Sequence, residues 1–132
     1  MKILQLNLNH CIAQDLLKKT MFEKKFDIAL LSEHHYNSSE LGWITDANNK
    51  TSIIVKPADL IQKKSEPSIQ YYCWVKTRGV FYFSCYIPPS CDINQFTVII
   101  EDIVEACSDK YPAVSAATLM HGQQHGEAKE QK

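Results

Sequence analysis

Three polar side chains stand where a run of apolar residues gives way to a loop: Asn7, Glu33 and Tyr86. A carboxylate at such a place can hold a magnesium ion, which takes oxygen ligands and usually keeps several waters. An amide beside it can fix a phosphate or a water. A tyrosine hydroxyl can donate to a phosphoryl oxygen that gains charge. In open α/β sheets ligands bind beyond the strand ends, where these residues would sit. Each also has a plainer account. Glu33 can be a solvated loop residue, Asn7 can cap the helix that follows, and Tyr86 can be a half-buried strand aromatic. Spacing alone favours the plainer account for each.

The elements that would position these residues are legible in the apolar pattern. From Lys2 to Asn9 the chain alternates, with Leu4, Leu6 and Leu8 on one side and Gln5, Asn7 and Asn9 on the other, the mark of a strand with one apolar face. The period then changes: Ala13, Leu16, Leu17 and Met21 share one side of a helix spanning 11–24, with lysines outside. Ile28-Ala29-Leu30-Leu31 is a continuous apolar run, suited to a strand buried on both faces. Strand, helix and strand together read as a βαβ unit with parallel strands.

The segment Asn37 to Lys50 is polar and reads as a loop. Short strands are expected at Ser52–Val55 and Leu60–Gln62. Gln70–Lys76 and Val80–Tyr86 flank Thr77-Arg78-Gly79, a hairpin signal, and Pro88-Pro89 ends the second strand. Phe96, Ile99, Ile100, Ile103, Val104 and Cys107 follow helical spacing. Asp92 and Gln95 before them form a capping-box pattern, so a helix is expected over 92–107. Tyr111-Pro112-Ala113-Val114 starts another strand, and residues 117–132 show no apolar periodicity.

A chain of 132 residues, 45% hydrophobic and 22% charged, is expected to form one globular domain. The net charge of −1 gives no support to tight phosphate gripping. Five cysteines, odd in number and without a CxxC pair, argue against a disulfide framework or structural zinc. Polar residues from Gln5 to Asp15 interrupt any signal-peptide core, and no apolar stretch approaches membrane-spanning length. A soluble intracellular protein, nuclear or cytoplasmic and not secreted, is expected.

Three blocks, in order and in register, carry a resemblance. Ile3-Leu4-Gln5-Leu6-Asn7-Leu8-Asn9-His10-Cys11, Asp27-Ile28-Ala29-Leu30-Leu31-Ser32-Glu33 and Phe83-Ser84-Cys85-Tyr86-Ile87-Pro88-Pro89-Ser90 resemble the endonuclease domains of non-LTR retrotransposons. Those domains belong to the endonuclease/exonuclease/phosphatase superfamily, with DNase I and the apurinic endonucleases. The resemblance implies that Asn7 lies in the active site, that Glu33 with Asn7 binds magnesium, and that Tyr86 orients the phosphate. It implies phosphodiester hydrolysis and DNA as partner. Where the family usually has proline after the glutamate, this chain has His34, then His35.

The family next shows Gly-Asp-Phe-Asn-Ala-Trp, whose Asp and Asn are central to the site. Here the aligned residues are Ala117-Thr118-Leu119-Met120-His121-Gly122. Thr118 stands for the Asp and Met120 for the Asn, and neither replaces its oxygen chemistry. The genetic code accounts for the change. GGC GAC TTT AAT GCA TGG G, read one base later, is GCG ACT TTA ATG CAT GGG, which encodes the residues 117–122 observed. The tail back-translates the same way to Trp-Gly-Ser-Lys-Arg-Thr, which the family shows there. A frameshift near 114–117 is therefore expected, and the metal-pair spacing of His121 and His125 becomes an accident of the shifted frame.

The expectation is a truncated domain over 1–116 and a disordered or loosely helical tail over 117–132. The fold implied is half of a two-sheet, four-layer α/β sandwich of the DNase I type. One mixed sheet would have two helices against one face, and its other face would be left bare for self-association because the second sheet is encoded downstream. The function implied is a fragment of a metal-dependent DNA endonuclease that lacks activity. The alternatives are a non-catalytic binding domain and a pseudogene product without function.

Overall fold

The computed structural model describes residues 1–8, 15–34, 41–120 and 124–131. In chain order the elements are β1 (Ile3–Asn7), α1 (Asp15–Lys24), β2 (Ile28–Ser32), β3 (Trp43–Thr45), β4 (Thr51–Val55), β5 (Ile61–Lys64), β6 (Tyr72–Thr77), β7 (Val80–Ile87), α2 (Ile93–Ser108), β8 (Ala113–Met120) and β9 (Gln124–Gln131). They form two sheets, one ordered β1-β2-β4-β3 and the other β5-β6-β7-β8-β9. The expected βαβ unit is present, with β1 and β2 parallel and α1 as their crossover. A second such unit follows, since β7 and β8 are parallel and α2 joins them. The remaining pairings are antiparallel.

Side-chain alternation decides how the sheets stack. In β2 and β4, Ile28, Leu30, Ile53 and Val55 face one way and pack with Cys73, Val75, Tyr82 and Ala116 of the other sheet. Ala29, Leu31 and Ile54 face the opposite way and pack under Leu17 and Met21 of α1. The second sheet repeats the pattern. Phe81, Phe83 and Cys85 turn outward under Ile103, Ala106 and Cys107 of α2. The layers therefore run α1, sheet, sheet, α2. All five residues of β2, and all five of β4, are buried, because each of these strands has an apolar covering on both faces.

Two expectations are corrected here. The second sheet does not wait for downstream chain: β5 to β9 supply it. The helices lie on opposite outer faces, not on one. A continuous apolar strand needs two coverings, and sheet, helix and strand hydrophobicity in this chain suffice for both. The bare sheet face on which self-association was expected is the inter-sheet core. Among the described residues, exposed large apolar side chains include Phe22, Leu41, Ile93, Val98 and Val104.

Smaller departures follow from local chemistry. Part of the expected 37–50 loop forms the short strand β3, which pairs with β4 across a turn. Leu16 is exposed, and α1 docks through Leu17 and Met21, an i,i+4 pair on one face. The capping box is formed: the Asp92 carboxylate accepts the Gln95 N–H at 2.8 Å, and the Gln95 side-chain oxygen accepts the Asp92 N–H at 3.1 Å. The backbone of 117–120 continues β8, and 124–131 pairs with it as β9, against the expectation of a loose tail. Strand pairing is made by main-chain groups, so an open edge at β8 can be paired without an apolar pattern in the partner. Of the helix expected over 11–24, residues 11–14 lie outside the described residues, as do His35 and His121.

Candidate active site

The ends of β1, β2 and β7 open on one rim of the sandwich. Asn7 closes β1 and stands in register with Ser32, the last residue of β2. The two strands stay joined one residue further, where the Leu8 N–H donates to the Ser32 carbonyl at 2.9 Å. Glu33 comes directly after. It is 7% exposed, and its N–H donates to the Lys50 carbonyl at 2.8 Å. Its φ of +51° lies in the left-handed region, which costs a residue with a Cβ about 1–2 kcal/mol. Such strain persists only where surrounding structure fixes it, and it gathers at functional sites.

Tyr86 reaches this rim from the other sheet. Along β7 the side chains of Tyr82, Ser84 and Tyr86 alternate with those under α2. Ser84 crosses the sandwich, its hydroxyl donating to the Leu31 carbonyl at 2.8 Å. Two residues on, the buried Tyr86 hydroxyl bonds the Glu33 side chain. Burial, the charge of Glu33 and this bond together push the phenol up to about 12. Tyr86 is therefore a neutral donor at physiological pH. Thr118 stands in register with Tyr86 across the β7–β8 pairing, so residue 118 falls on the same rim.

The structure thus brings Glu33 and Tyr86 into contact and sets Asn7 one strand away. His34 is buried, its ring edge-on to Trp43 with centroids 5.7 Å apart. Asp46 was passed over in the sequence as part of a polar loop. It is 1% exposed, and its carboxylate accepts the backbone N–H groups of Lys50, Thr51 and Tyr71. An Asp opening a turn was the only signal available, because Tyr71 is distant in sequence. No group of three or more His, Cys, Asp or Glu side chains suited to a metal gathers among the described residues. Glu33 is thus the single carboxylate at the rim among its three candidate residues.

The four-layer α/β sandwich is a DNase I-like fold. Among solved structures, the chain is similar to the endonuclease domain of TRAS1, a telomere-specific non-LTR retrotransposon, with a TM-score of 0.65 and 20% identity over 88% of this chain. It spans 57% of that domain's length. A weaker likeness, to truncated TDP2 of Caenorhabditis elegans, has a TM-score of 0.45 and 13% identity over 88% of this chain and 60% of that one. No protein-family profile and no curated protein matches the chain. No described helix is long and apolar enough to cross a membrane.

Proposed function

We propose that the chain is the amino-terminal portion of a magnesium-dependent DNA endonuclease domain of the non-LTR retrotransposon type, carrying half of its site and no hydrolytic activity of its own. The observation that supports this best is the Tyr86–Glu33 bond, formed between the ends of two strands in different sheets. Nothing in a generic α/β sandwich requires a glutamate from one sheet to meet a tyrosine from the other at the strand ends.

The donor set fits a hydrated magnesium ion shared with a phosphate. Glu33 offers a carboxylate and Asn7 an amide oxygen, and magnesium is commonly held by one or two carboxylates while water and phosphate complete its shell. A magnesium ion held by these two residues would supply charge neutralisation at the scissile phosphate. Tyr86 keeps its proton and is suited to donate to a phosphate oxygen, and Asn7 to orient the same group. What is missing is a base. Thr118 stands beside Tyr86 in register where the family has aspartate, and a threonine hydroxyl does not take a proton from water near neutral pH. The frameshift over 117–132 is part of the same proposal.

Plasmid nicking tests it. Purified protein with magnesium or manganese is expected to leave supercoiled DNA at background, in parallel with Glu33→Ala. Nicking that Glu33→Ala abolishes would overturn the inactivity.

A further inference from the structure

We propose that Asp46 is a positioning residue that holds Glu33 and Tyr86 together through their backbones; this rests on the reading of that pair as the site. Asp46 opens the turn between β3 and β4. One carboxylate oxygen accepts the N–H of Lys50 at 2.8 Å and of Thr51 at 3.1 Å. The other accepts the N–H of Tyr71 at 3.2 Å, the residue just before β6 of the opposite sheet. Each arm ends on a site residue. The Lys50 carbonyl accepts the Glu33 N–H at 2.8 Å, and the Tyr71 carbonyl accepts the Tyr86 N–H at 2.8 Å.

One buried carboxylate thus ties the peptide that holds Glu33 to the peptide that holds Tyr86. Both arms pass through residues with left-handed backbones, Glu33 at φ +51° and Tyr71 at φ +72°. Neither conformation is comfortable for a residue with a Cβ, so something outside each residue must fix it. A carboxylate satisfies this geometry because it only accepts. An amide in its place would point hydrogens at one of the backbone N–H groups and release one arm.

A triple-mutant cycle separates positioning from mere stability. Tyr86→Phe, Glu33→Gln and the double variant are unfolded in denaturant, first with Asp46 present and then in an Asp46→Asn background. With Asp46, the coupling between the two substitutions is expected to be about tenfold or more in the unfolding constant. With Asp46→Asn it is expected to fall below about twofold. A coupling that survives unchanged while stability drops would show Asp46 to be a structural residue only. Should Asp46→Asn not fold, amide exchange on the unaltered protein decides. The N–H groups of Glu33, Lys50, Thr51, Tyr71 and Tyr86 are expected to exchange through one shared opening, and separate openings for the Glu33 and Tyr86 amides would overturn the proposal. Unfolding and exchange do not depend on DNA cleavage, so these results stand apart from the nicking assay.

Discussion

Replacing the Tyr86 hydroxyl probes the rim without disturbing the packing around it. Tyr86→Phe keeps the ring, which is 5% exposed, and removes one donor from Glu33, which is 7% exposed. A hydrogen bond to a charged group contributes roughly 1.5–3 kcal/mol net, and a neutral one about 1 kcal/mol. Tyr86→Phe is therefore expected to cost about 2 kcal/mol at pH 8 and rather less in a Glu33→Gln background, a coupling of about 1–2 kcal/mol. The pH dependence has a fixed sign. Tyr86 is held at about 12 in the folded state, above the unfolded value of about 10. Its contribution is full below pH 10 and is lost as pH rises towards 12, where the unfolded chain gives up the proton first. Urea denaturation at pH 8 and at steps above pH 10 reads both effects, and subtracting the Tyr86→Phe curve removes the other tyrosines. A coupling below about 0.5 kcal/mol, or parallel pH curves for the two proteins, would refute the bond.

Other substitutions test the layers that hold this rim. Ile53→Ala, in the core between the sheets, should cost about 2–5 kcal/mol in thermal or urea unfolding; a loss under about 1 kcal/mol would mean that the sheets do not pack there. Ser84→Ala leaves the Leu31 carbonyl without its cross-sheet donor and should cost about 1–3 kcal/mol, against a near-neutral effect if that bond is absent. Asp92→Ala should lose about 1 kcal/mol by removing the α2 cap, and circular dichroism should report fraying of that helix alone. Thr118→Asp adds a carboxylate to the rim and should tighten manganese binding by calorimetry; unchanged binding would place residue 118 away from the metal.

The parts of the fold legible in sequence are those whose signal is local. Period two over Leu4, Leu6 and Leu8, then helical spacing, then the run Ile28–Leu31, sufficed for β1, α1 and β2, and hence for the neighbouring positions of Asn7 and Glu33. The capping pair Asp92 and Gln95 marked α2 for the same reason. Sheet membership was not local. β7 carries apolar residues on both faces, and only the packed structure separates Tyr82, which turns towards the first sheet, from Phe81 and Phe83, which lie under α2. Asp46 escaped notice because two of its three backbone partners are near in sequence and the third, Tyr71, lies just before β6 of the other sheet. Strand β9 escaped because main-chain pairing leaves no trace in side-chain pattern.

Paramagnetic broadening by manganese tests the shared rim of Asn7, Glu33 and Tyr86 most directly. Substoichiometric manganese added to isotope-labelled protein should broaden the amide signals of Leu8, Glu33 and Tyr86 together, and Glu33→Ala should abolish the effect. Gly79, at the far end of β7 and roughly 20 Å away along the strand, should keep its sharp line. Broadening confined to the carboxylates of α2, or broadening at Glu33 without Tyr86, would contradict a single site built from the ends of these three strands.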